Sequence, residues 1–79
     1  MNITFRQLQI FEAVAQHLSY TRSSEALHLT QPAVSMQIKQ LEHSVGLPLF
    51  ERLRKKVFLT EAGNEFSRYA KVITTQLDE

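Results

Sequence analysis

The chain has no cysteine, only two glycines and only two prolines among its 79 residues. Without cysteine there is no disulfide and no thiolate zinc site. Two glycines, Gly46 and Gly63, are too few to build a phosphate cradle of the P-loop kind. No apolar stretch approaches the ~20 residues of a membrane span, so no membrane partner is expected. The opening Met1 to Arg6 shows neither an apolar run nor a cleavage-like site, and no signal peptide is visible. A strong excess of one charge is missing too: the formal net charge is +1. Composition alone therefore does not announce nucleic acid. No nucleophile–base pairing and no paired carboxylates stand out. The three histidines, His17, His28 and His43, fall in different elements without metal-ligand spacing. Neither an enzyme, a cofactor nor a metal is expected.

What is present fits one small domain. A hydrophobic fraction of 43% is ordinary for a globular chain. A domain of this length buries only ~60% of its unfolded surface and is marginal on its own. Charge is concentrated where the sum hides it. Arg52, Arg54, Lys55 and Lys56 are four of the nine basic residues and fall within one five-residue stretch.

Apolar periodicity predicts the elements. Leu8, Phe11, Ala15 and Leu18, widened by Ile10 and Val14, form one helical face, with Thr4 able to cap its start. After a break at Ser19-Tyr20, Thr21 is expected to cap a short second helix, Arg22 to Leu27, with Ala26 and Leu27 facing inward. His28-Leu29-Thr30 makes a tight connection; Thr30 caps a third helix and Pro32 sits in its first turn. Two short helices joined so closely match a helix-turn-helix. On the third helix Val34, Ile38, Leu41 and Val45 share one stripe. The other face carries Pro32, Met36, Lys39, Gln40 and His43, with Ser35 at its edge, and Gly46 ends the helix ahead of Pro48.

Leu49 to Arg52 and Val57 to Thr60 read as two strands of a hairpin around the basic tip, although the tip lacks an Asn-Gly or Asp-Gly signal. Thr60 can cap a last helix whose seam is Ala62, Phe66, Tyr69, Ile73 and Leu77. That pattern reaches Asp78-Glu79 without a stop, and two acidic residues are unfavourable at the negative pole of a helix. The chain is therefore expected to be part of a longer protein. The fold class that results is mainly α: a helix-turn-helix within three helices, a two-stranded hairpin as its wing, and a long last helix.

Each feature also has a plainer interpretation. The start of the third helix, Thr30 to Gln37, suits the major groove: Gln pairs with adenine, Ser serves either role, and Ala or Met touches a thymine methyl. The alternative is an amphipathic helix with an ordinary solvated face. The basic tip is either a wing lying against phosphates or a solvated loop. The seam of the last helix either packs on its own core or, because it outruns that core, meets a partner helix. A winged helix can also serve as a protein-docking module.

Four segments are familiar in combination: Leu27 to Ser35, Ile38 to Glu42, Gly46 to Arg52, and Leu59 to Gly63. In that order and spacing the chain closely resembles the DNA-binding domain of LysR-type transcriptional regulators. Phe5 to Leu8 and Thr30 to Gln40 look most like the members controlling carbon-dioxide-fixation operons. The resemblance implies a cytoplasmic bacterial activator of transcription that binds partly symmetric double-stranded DNA as a homodimer or larger assembly. It implies a winged helix-turn-helix DNA-binding domain over residues 1–60, a long linker or dimerisation helix over residues 61–79, and a C-terminal domain beyond this chain through which alone a small-molecule effector would act. Carried over by position, Gln31, Pro32, Ala33, Ser35 and Met36 face bases. Thr21, Arg22, Thr30, Lys39, Arg52, Arg54 and Lys55 face the backbone or minor groove. Phe66, Tyr69, Ile73 and Leu77, on the seam that outruns its own core, are expected to form the dimer interface. Two positions depart from the family's pattern. Met36 stands where many relatives carry Arg, and Ser23-Ser24 replaces a common Ala-Ala. A buried hydroxyl there needs a backbone acceptor one turn back.

Overall fold

Thr4 starts the first helix, α1 (Phe5–His17), with a reciprocal capping box. Its Oγ1 accepts from the Gln7 amide at 3.0 Å, and Gln7 Oε1 accepts from the Thr4 amide at 3.1 Å. The computed structural model describes the backbone of residues 2–78 and the side chains of residues 2–76. The remaining elements are α2 (Tyr20–Leu27), α3 (Gln31–Val45), β1 (Phe50–Leu53), β2 (Lys56–Leu59) and α4 (Glu61–Asp78). This is the expected winged helix-turn-helix followed by a long helix.

The start of α2 differs from the sequence-based expectation. Ser19, not Thr21, is the N-cap: its Oγ accepts from the Arg22 amide at 3.1 Å. Both residues are good caps, but capping at Ser19 lets Tyr20 enter the helix and pack toward the wing. Ala26 is exposed rather than inward; Ser23 and Ser24 are the buried residues of α2. The Ser23 hydroxyl donates to the Ser19 carbonyl at 2.6 Å and the Ser24 hydroxyl to the Thr21 carbonyl at 2.7 Å. These are the backbone acceptors that burial demands.

The turn into α3 closes on His28, left-handed at φ 57, with Leu29 N–H donating to the Ser24 carbonyl at 2.9 Å and His28 N–H to the Glu25 carbonyl at 3.2 Å. That is the Schellman arrangement, made here without glycine at a cost of about 1 kcal/mol. Thr30 caps α3 and Gly46, at φ 87, ends it.

Phe11 is fully buried at the centre of the core, with Ile10, Val14, Val34, Ile38, Leu41 and Leu49 around it. Its ring lies 5.0 Å from Phe66, edge-on at 85°, and 5.2 Å from Phe50. One aromatic cluster thus joins α1, α4 and the wing. The first turns of α4 are fixed by backbone approach. Thr60 Oγ1 donates to the Pro48 carbonyl at 2.7 Å and accepts from the Gly63 amide at 2.9 Å. A Cβ on Gly63 would collide with the Leu49 carbonyl, so only glycine fits.

The strands pair antiparallel with Phe50 opposite Leu59 and Leu53 opposite Lys56. They are shifted by one residue toward the tip from the expected Leu49–Arg52 and Val57–Thr60. The loop is therefore only Arg54-Lys55, both at positive φ (52 and 68). Two positive-φ residues are what a tight two-residue hairpin needs to match strand twist, even without Asn-Gly.

Candidate nucleic-acid interface

The outer face of α3 follows from its inner one. Val34, Ile38 and Leu41 are buried, so the helical period leaves Pro32, Met36, Lys39, Gln40 and His43 exposed, with Ser35 half-buried beside them. Met36 is 54% exposed, which is unusual for so large an apolar side chain. Pro32, Ser35, Met36 and Lys39 line a shallow groove along the helix that Asn2 and Gln7 complete. Gln7 Nε2 donates to Gln37 Oε1 at 3.2 Å and ties α1 to this helix.

A second recess lies where α2, α3 and the wing converge. Tyr20 and Thr21 from α2, Gln31 from the first turn of α3, and Arg52, Lys55 and Val57 from the wing line it. Four residues assigned separately to DNA contact, Thr21, Gln31, Arg52 and Lys55, are thereby brought together. Arg22, Thr30 and Arg54 are exposed but outside this lining, and Ala33 is half-buried. Thr30 is already engaged: its Oγ1 accepts from the Ala33 amide at 3.2 Å, which leaves its O–H as a donor for an outside oxygen.

The wing is held at both ends. At its root, Glu42 Oε2 accepts from the Leu49 and Phe50 amides at 2.7 and 3.2 Å. Along the strand, the Arg52 guanidinium carbon sits 4.5 Å above the Tyr20 ring. Burial, and secondarily the Glu42 carboxylate, push the Tyr20 phenol above its usual 10.0, with Arg52 partly offsetting this. Tyr20 is thus neutral under ordinary conditions. Neither Tyr20 nor Glu42 was marked by the sequence as a site residue: Arg52 is remote from Tyr20 along the chain, and the amides that Glu42 accepts from lie past the helix end, in a loop and strand that no helical period reaches.

On α4 the expected seam divides. Phe66 is half-buried against Phe11 of its own chain, and Ala70 and Thr74 turn inward. Tyr69 and Ile73 are 63% and 45% exposed, joined by Val72 at 59%, which lies three residues after Tyr69 and shares its side of the helix. Leu77 lies outside the residues whose side chains are described. Ile3, Phe5 and Leu8 of the amino-terminal part form an apolar groove with Phe66, Tyr69, Ala70 and Ile73. Among the described residues no cluster of His, Asp or Glu could hold a metal, and no helix is long and apolar enough to cross a membrane.

A helix-turn-helix followed by a hairpin packed beside its second helix defines the class: a winged helix-turn-helix protein. Residues 5–64 match the family described as bacterial regulatory helix-turn-helix protein, lysR family, and the chain belongs to that family. It is 60% identical over its whole length to the RuBisCO operon transcriptional regulator of Allochromatium vinosum, of which it covers 26%. It is 52% identical over 98% of its length to the HTH-type transcriptional regulator CfxR of Cupriavidus necator, covering 24% of that protein. The chain thus spans about a quarter of the length of these relatives. Among solved structures, a CbnR DNA-binding-domain–DNA complex superposes with a TM-score of 0.91 at 34% identity, over 96% of this chain and 87% of the other. A BenM DNA-binding domain bound to catB site 1 DNA gives 0.92 at 34% identity, over 96% and 85%.

Proposed function

We propose that the chain is the sequence-specific double-stranded-DNA-binding domain of a lysR-family transcription regulator. The start of α3 enters the major groove, with Gln31, Pro32, Ala33, Ser35 and Met36 toward the bases. Thr21, Arg22, Thr30, Lys39, Arg52, Arg54 and Lys55 hold the backbone or minor groove. The observation that carries this reading is the convergence of Thr21, Gln31, Arg52 and Lys55 on one recess beside the open face of α3. It places two cations, an amide and a hydroxyl next to the exposed face of α3. The likeness to two domains crystallised with DNA supports the same docking side.

Two chains pair through α4, by Tyr69 and Ile73 with Leu77 and part of Phe66, so that residues 1–60 read DNA and residues 61–79 link the pair. Relatives named for the RuBisCO operon support control of carbon-dioxide-fixation genes in the bacterial cytoplasm. A small-molecule effector acts only through a domain outside this chain, and this DNA-binding domain itself catalyses no reaction. Selection from a random duplex pool, followed by salt titration of the recovered site, tests the reading. A shared motif and a steep log–log salt dependence support it. No recovered motif and a flat salt response would instead favour a protein-docking winged helix.

A further inference from the structure

Arg52 is on a two-stranded wing, and exposed arginines on hairpins ordinarily sample many rotamers. Here the side chain has a platform. Its guanidinium carbon lies 4.5 Å over the centroid of Tyr20, well within cation–π range. The platform is itself rigid. The Tyr20 ring meets Phe50 edge-on at 6.4 Å and 69°, Phe50 contacts the fully buried Phe11, and Phe11 meets Phe66. Tyr20 is held at the start of α2 because Ser19 caps that helix one residue before it. Both Tyr20 and Arg52 line the recess that also contains Thr21, Gln31 and Lys55.

We propose that Tyr20 is a positioning residue for DNA binding: its ring fixes the Arg52 guanidinium at the mouth of the recess between the wing and α3. The inference rests on the DNA-binding reading and adds to it a residue that makes no DNA contact of its own. Preorganising one cation spares the ordering of a long, rotamer-rich side chain when the phosphate or minor groove arrives. It also sets the distance between Arg52 and Gln31, so that wing and recognition helix engage the duplex in one register.

The test is a double-mutant cycle on this chain, read as affinity for the duplex that the wild type selects from a random pool. Tyr20→Leu should weaken binding about two- to fivefold, the range of an exposed cation–π contact. Tyr20→Phe, which keeps the ring, should restore affinity to within about twofold. In an Arg52→Ala background the Tyr20→Leu loss should vanish. A purely structural role for Tyr20 would give the same loss in both backgrounds, and that result, or no loss from Tyr20→Leu at all, overturns the proposal. Thermal melts of each variant separate misfolding from mispositioning, because a Tyr20→Phe protein that melts like the wild type yet binds like Tyr20→Leu also overturns it. If the wild type selects no duplex, the DNA-binding reading itself has failed and this inference fails with it.

Discussion

Glu42 and Leu49 are joined by a 2.7 Å hydrogen bond from the Leu49 amide to Glu42 Oε2, and the same oxygen takes the Phe50 amide. One carboxylate near the end of α3 therefore anchors the root of the wing. Leu49 is fully buried, so the two amides have few other acceptors. Hydrogen bonds to a charged group contribute more than neutral ones, and Glu42→Ala should cost about 2 kcal/mol of stability. Glu42→Gln keeps a neutral acceptor and should fall between. Urea denaturation measures both; an Ala variant as stable as the wild type would show that the wing root does not depend on this carboxylate.

Gly63 offers a contest between two effects of known sign. Inside a helix, Ala is favoured over Gly by about 1 kcal/mol. A Cβ at this position would strike the Leu49 carbonyl, a backbone atom that also accepts from the Thr60 amide at 3.0 Å and cannot easily move. Overpacking of this kind costs about 1–3 kcal/mol. Gly63→Ala is expected to be destabilising on balance, seen as a lower urea midpoint. A stabilised variant would mean that α4 can slide off Leu49 at little cost.

The stripes of α1 and α3 were legible in the sequence because burying one face of a helix forces apolar residues into its period; Leu18, expected on the α1 stripe, instead ends that helix as its left-handed C-cap and is 42% exposed. Thr4, Thr30 and Gly46 were legible because caps act on neighbours a few residues away. The start of α2 was not: Ser19 and Thr21 are chemically equivalent caps, and the choice is made by Tyr20 packing against Phe50. The hairpin strands run one residue further toward the tip than expected, with the pairing of Phe50 opposite Leu59 unchanged, because Arg54-Lys55 adopt left-handed backbone that their side chains do not advertise. On α4, the same period that marked Phe66 could not tell a residue packed edge-on against Phe11 from exposed ones such as Tyr69. The basic tip was visible as composition, but its partner Tyr20 was not, since only the fold brings them together.

The wing should act on DNA without regard to sequence. Arg52→Ala and Lys55→Ala are each expected to weaken all duplexes alike and to flatten the log–log salt slope by about 0.9 per lost phosphate contact. Binding titrations across a range of salt on selected and random duplexes check this. Slopes unchanged in both variants would remove the wing from the phosphate interface.

The exposed side of α4 should govern pairing. Tyr69, Val72 and Ile73 present a contiguous apolar surface of the kind that marks interfaces. Ile73→Asp places a charge there, remote from α3. The variant should bind a single half-site like the wild type and lose the cooperative gain on a two-half-site duplex, measured by gel shift. Equal cooperativity in the two proteins would locate the pairing surface elsewhere.

Base reading by the start of α3 is tested most directly at Gln31, exposed in the first helical turn and beside the wing recess. The measurement is the affinity of wild type and Gln31→Ala for every single-base variant of the selected duplex. A side chain that reads a base edge discriminates by about 1–3 kcal/mol at one position. The expected result is a flattened preference at one base pair, with the ranking elsewhere intact. If both proteins rank all variants identically while the mutant binds uniformly more weakly, Gln31 holds backbone only, and base reading by Gln31 is contradicted.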